Sequence, residues 1–148
     1  MNDTYTDANG NDWTIKVNAF SLDKVERSLE VSFSALPEDK EGPILRIATD
    51  CMFVFRVLWI LCEDQAVSRN IDEEKFSEGL VGDALGKAQA ALLEAIAKFH
   101  PSEDRREGIR KVFGIIKSAE AKLIQKANAG LDAINVDKLV QEVNDAGT

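Results

Sequence analysis

The chain has 148 residues, 45% of them hydrophobic and 30% charged, with a net charge of −8 and a pI near 4.7. That length and balance suit one globular domain with its own core and exclude a disordered chain. The acid excess argues against non-specific nucleic-acid binding, which needs Lys and Arg to displace counterions from phosphates, and against an anionic membrane surface.

In chain order, Tyr5 to Val17 carries a turn signal at Asn9-Gly10 between short segments of β character. Trp13, Ile15 and Val17 alternate with Thr14 and Lys16, so one face is buried. A small hairpin is predicted, and it must lean on the helical body, because an isolated one is marginal. Ser21 is the predicted N-cap of a short helix from Leu22 to about Leu29. Glu30 to Leu36 alternates through Val31, Phe33 and Ala35 and reads as a strand or extended segment. Pro37 to Pro43, with two prolines, a glycine and four charges, reads as a loop. Ile44 to Ala48 is a short turn leading into the apolar centre of the chain.

That centre is Cys51 to Cys62, twelve residues interrupted only by Arg56. It is too short for a bilayer, which takes about 20 apolar residues. It continues without Gly or Pro into Glu63 to Arg69, so the spacing predicts one helix from about Asp50 to Ser68 with Asp50 near its N-cap. Its first half being apolar on nearly every side, it should be central and largely covered. Arg56 snorkels or pairs with a carboxylate. On one helix Cys51 and Cys62 would lie roughly 16 Å apart, far beyond disulfide reach. Two buried free thiols, with a polar, acidic N-terminus, point to the cytoplasm.

Asp72 is the predicted cap of a helix from Glu73 to Leu80, ended by Gly79 and Gly82. Asp83 caps the next, which runs to about Phe99 with Leu85, Ala88, Leu92, Ala95, Ile96 and Phe99 in one stripe. His100-Pro101 ends it, because a residue before proline is pushed out of helical space. Ser102 caps a long C-terminal helix with Ile109, Val112, Phe113, Ile116, Ala119, Leu123 and Ala127 on its apolar face. This helix stops near Gly130 or continues, and Asp137 to Val143 forms a last short one. The expected fold is mainly α: five to six helices around the central one, with a small N-terminal β-hairpin. It is expected as a single domain, with hairpin, extended segment and short helix in 1–36 and a helical body in 44–145.

The chemical inventory is thin. His100 is the one histidine and sits at a helix end without partners. There is no Gly-x-Ser-x-Gly elbow, no Cys-x-x-Cys and no His-Glu-x-x-His. Glu73-Glu74 and Glu103-Asp104 are explained by the dipole at helix starts. Gly79-Leu-Val-Gly82 lacks the Gly-Lys-Ser/Thr of a phosphate loop. No catalytic residue, metal ligand or cofactor site is expected. Charge is uneven: up to Glu74 the net is −8, whereas Lys98 to Lys126 carries 8 basic and 4 acidic residues. Ile115 and Ile124 lie off the main stripe of the C-terminal helix. Such surplus apolar surface is a candidate for oligomer or partner contact.

The order of features carries a resemblance. Asp7-x-x-Gly10-x-x-Trp13 precedes a short amphipathic helix, and an apolar helix with Leu58-Trp59 follows. Then come Asp72-Glu-Glu-Lys-Phe76, Gly82-Asp83, an Ala-rich helix with Ala91-Leu92, and Phe99-His-Pro101 before Arg105-Arg106. This resembles tail assembly chaperones of tailed phages and prophages, encoded near the tape-measure protein. The likeness covers roughly Asp7 to Phe113 and is most specific from Phe76 to Arg106. His100 stands where a second aromatic is expected before the proline. The resemblance implies a non-catalytic protein of the host cytoplasm that binds the tape-measure protein and keeps it soluble. It also implies possible tail-tube subunit partners and a possible homo-oligomer. Client contact is then expected on the C-terminal helix at Phe113, Ile116, Leu123 and Ile124, with Arg105 and Arg106. The rival readings are a structural tail or head-completion component of the virion, a small enzyme or ligand-binding domain, and a small helical regulatory protein.

Overall fold

The structure is a computed structural model that describes residues 3–33, 42–132 and 136–146. It is mainly α with an N-terminal β-hairpin. The chain divides into two compact units, Met1–Gly114 and Ile115–Thr148.

In the first unit β1 (Asp3–Thr6) pairs antiparallel with β2 (Asp12–Ile15), Tyr5 opposite Trp13 and Asp3 opposite Ile15. Alternation puts Tyr5, Trp13 and Ile15 on one buried face. β1 lies on the helix Gly82–Phe99 and β2 on the helix Cys51–Ser68, which gives the hairpin the support it needs. α1 (Ala19–Leu29) starts earlier than predicted. Asn18 is its N-cap and Ser21 is the third helical residue of a reciprocal capping box, so the predicted cap is displaced by one that satisfies two donors. Leu22 and Val25 are its buried positions. Beyond it, residues to Phe33 form no strand, while the rest of the predicted extended segment and most of the predicted loop, residues 34–41, lie outside the described residues.

The turn predicted at Ile44 to Ala48 is a helix, α2 (Pro43–Thr49), because Pro43 at its first position fixes φ where no N–H is needed. Gln89 Nε2 donates to the Ile47 and Ala48 carbonyls, at 2.6 and 3.1 Å, meeting the open end of this helix. Asp50 then separates α2 from α3 (Cys51–Ser68), its carboxylate accepting from the Met52 and Phe53 amides. α3 buries Phe53 and Val57 in one row and Val54, Leu58, Cys62 and Ala66 in another. It is less covered than predicted. Cys51, Met52, Arg56 and Val67 are exposed, because two four-residue rows suffice to meet the surrounding elements. Cys51 is therefore not a buried thiol; Cys62 is, and burial pushes its pKa up to about 12.

Asp72 caps α4 (Glu73–Glu78) through the Lys75 amide at 2.8 Å. Phe76 of α4 is the hub of an aromatic cluster: its ring meets Trp13 edge-on at 4.9 Å, Trp59 at 5.3 Å and Phe55 at 6.2 Å. α5 (Gly82–Phe99) buries Ala88, Leu92, Ala95 and Ile96 of the predicted stripe, with Leu93 and Ala97 besides. Val81 rather than Asp83 is its N-cap, and Asp83 sits in the first turn. His100 takes an extended ψ of 141° before Pro101 and ends the helix as predicted. α6 (Glu103–Asp132) then starts with the Ser102 hydroxyl accepting from the Arg105 amide at 3.2 Å. It runs past Gly130, and the boundary between the two units falls within it. α7 (Val136–Ala146) is the last helix. Among the described residues no helix is long and apolar enough to cross a membrane.

Candidate binding surfaces

The motif Asp7-x-x-Gly10-x-x-Trp13 folds on itself. Asp7 Oδ1 accepts from the Asn9 and Asn11 amides, both at 2.9 Å, and Oδ2 accepts from the Trp13 indole N–H at 2.9 Å. Gly10 supplies the turn with φ +86°, a value that side chains rarely adopt. Burial raises the Asp7 pKa, but hydrogen bonds from Trp13, Asn11 and Asn9 outweigh it, and the carboxyl ends below the usual carboxylate range. Gly79 closes the other side. Its carbonyl accepts from the Ala8 amide at 2.9 Å, and a Cβ there would come within 2.5 Å of Asp7 Oδ2. Gly79 thus ends α4 and also admits the carboxylate. Arg69 stacks over Trp13 at 4.7 Å and donates to the Asp12 carbonyl at 2.7 Å. The acceptors of Asp7 are met from within, so this motif holds the hairpin to α4 rather than reaching for a ligand.

His100 is buried, and its pKa is lowered by burial first and by the nearby Arg105 charge second, against a hydrogen bond with the Phe33 backbone. Arg106 Nη1 donates to the His100 carbonyl at 2.8 Å and so secures the corner between α5 and α6. Arg110 grips Glu94 across the same corner with two hydrogen bonds of 3.0 and 2.6 Å, and Glu107 with a third of 2.7 Å.

The expected contact residues therefore separate. Arg105 and Arg106 are half-buried at the corner, and Phe113, also half-buried, packs against the core near Ile109. These belong to the first unit. Ile116, Leu123 and Ile124 belong to the second, where Ile116 is half-buried and the other two are 68% and 53% exposed. Ile115, Leu131, Val140 and Val143 are exposed in that unit too. Six of the eleven large apolar side chains exposed among the described residues thus lie beyond Gly114.

A second surface was not read from the sequence. A groove of about 790 Å³ opens beside the N-terminal end of α3, walled by Cys51, Met52, Phe55, Leu80 and Leu85. Asp72, Glu73 and Glu74, at the start of α4, line it as well. The unbroken apolar run of α3 concealed it, since period alone does not tell which positions of such a helix stay uncovered. The only hint is that three consecutive acids follow at helix-start spacing. No group of three or more potential metal-ligating His, Cys, Asp or Glu side chains occurs among the described residues.

Comparison of the chain with protein-family models, with curated proteins and with solved structures gives no match.

Proposed function

We propose that this protein is a tail assembly chaperone of a tailed phage or prophage: a non-catalytic protein of the host cytoplasm that binds the tape-measure protein and keeps it soluble. The observation that carries the reading is the run of exposed apolar side chains on α6 and α7, Ile115, Leu123, Ile124, Leu131, Val140 and Val143. Exposed apolar surface of this kind marks a place where another chain docks. Helices that leave such residues uncovered suit a client that is itself helical and apolar. The acid excess of the chain, −8 overall, supports the reading by keeping a protein–client complex soluble through charge repulsion. The resemblance between Asp7 and Phe113 supplies the identity of the client.

Co-expression with a tape-measure protein tests this. The soluble fraction of the client is expected to rise when the protein is present, and to fall back with Leu123→Glu and Ile124→Glu together. Equal client solubility with and without the protein would overturn the reading. A chaperone should also leave the finished tail, so finding the protein in purified particles would favour a structural component instead.

A further inference from the structure

The groove beside Met52 and Phe55 is apolar on its walls and negative at α4, and the same chain carries a segment of matching chemistry. Between Lys111 and Lys126 there are four lysines and one acid, Glu120. Leu123 and Ile124, both exposed, lie between Lys122 and Lys126 on α6. We propose that the groove of one copy binds α6 of a second copy, with Leu123 set against Met52 and Phe55 and with Lys122 and Lys126 facing the carboxylates of Asp72, Glu73 and Glu74. Two features of the groove favour a basic amphipathic helix over a small ligand. The Asp72 carboxylate already accepts from the Lys75 amide, and the Ser77 hydroxyl donates to the Glu74 carbonyl. What is left to recognise a partner is apolar shape and negative charge, not the converging polar groups of a small-molecule site. Because the two contacting surfaces differ, every copy offers one of each, and the contact repeats head to tail into a ring or an open chain. This names the two surfaces of a self-contact and does not need the client reading, but it uses the same Leu123 that is assigned to the client, so a second copy and a client compete for it.

Sedimentation velocity on the purified full chain tests the proposal. Wild-type protein is expected to grow from monomer through dimer to larger species as concentration rises. Met52→Glu and Leu123→Glu each weaken association by about tenfold or more, as loss of a central apolar contact does. Both side chains are exposed, so circular dichroism should show each variant folded. An equimolar mixture of the two gives a one-to-one dimer and nothing larger, since one variant retains only the groove and the other only the helix. Glu73→Lys with Glu74→Lys weakens association about fivefold, and adding Lys122→Glu with Lys126→Glu restores it. The proposal is overturned by wild-type protein that stays monomeric, by Met52→Glu protein that associates as wild type does, or by a mixture that stays monomeric. Met52→Glu separates the two readings, because it alters the groove and leaves Leu123 and Ile124 intact: it should lose association and still raise client solubility in co-expression.

Discussion

Asp7 shows how one carboxylate can fix a local fold. Asp7→Asn keeps the volume but removes the charge that the three N–H donors converge on. A hydrogen bond to a charged group contributes about 1.5–3 kcal/mol, so the variant is expected to lose about 2–3 kcal/mol of stability at pH 7 in urea unfolding. The folded pKa is depressed, so the unfolded chain binds the proton more readily. The stability from this group is complete above the ordinary value of 3.8 and is lost as pH falls through the lower folded value. The gap between wild type and Asp7→Asn should therefore close in acid. His100 responds at a different pH. Its folded pKa is also depressed, and for a base this means that the native state favours the neutral ring. Stability is then lost as pH falls below the ordinary value of 6.5. His100→Phe removes the titration and fills the same buried space. The difference in urea midpoint between pH 7 and pH 5 should be smaller in that variant than in wild type. In the sequence Asp7 and Trp13 stand only as spaced members of a motif, without their hydrogen bond, and Gly79 reads as a helix end and not as a neighbour of Asp7. Its need is for space beside Asp7, seventy-two positions earlier in the chain, and nothing local signals it.

Among the elements, the hairpin depends on a side chain of α3. Gln65 Oε1 accepts from the Thr14 amide at 3.0 Å, and Gln65 Nε2 donates to the Thr14 carbonyl at 2.7 Å. One side chain thereby meets the free edge of β2 as a third strand would. Gln65→Leu should speed amide exchange at Thr14, measured by NMR, while leaving the central α3 amides Val57 and Leu58 protected. Unchanged exchange at Thr14 would show that the pair contributes nothing. The long periodic helices, α3, α5 and α6, could be read from spacing and end signals, since Asp50, Ser102 and Pro101 act within one turn of where they stand. The short elements could not be read as well. α2 depends on Gln89 from α5 to meet its carbonyls, and α1 on a capping box in which Asn18 is the cap and Ser21, the predicted cap, is the third helical residue. The groove was missed for a related reason. An apolar run does not show which of its rows is covered, and here Met52 is left out.

At the scale of the whole molecule, the core is confined. Every residue of the buried cluster, from Tyr5 to Ile109, lies in the first unit. A chain ending at Gly114 is therefore expected to fold with a cooperative urea transition, near-native midpoint and intact near-ultraviolet dichroism. It should also have lost client binding, since the exposed apolar residues of α6 beyond Gly114 and of α7 are gone. A broad, non-cooperative transition would show that the residues after Gly114 are needed for the core. The aromatic hub around Phe76 makes such measurements selective. The chain has two tryptophans and one tyrosine: Trp13 and Trp59 both flank Phe76, and Tyr5 is opposite Trp13 across the hairpin. Residues 115–148 contain none of these and no phenylalanine. Intrinsic fluorescence therefore observes the first unit alone, and the surface assigned to the client is optically dark. A Leu123→Trp substitution would light it, and made together with Trp13→Phe and Trp59→Phe it would leave residues 115–148 with the only tryptophan emission.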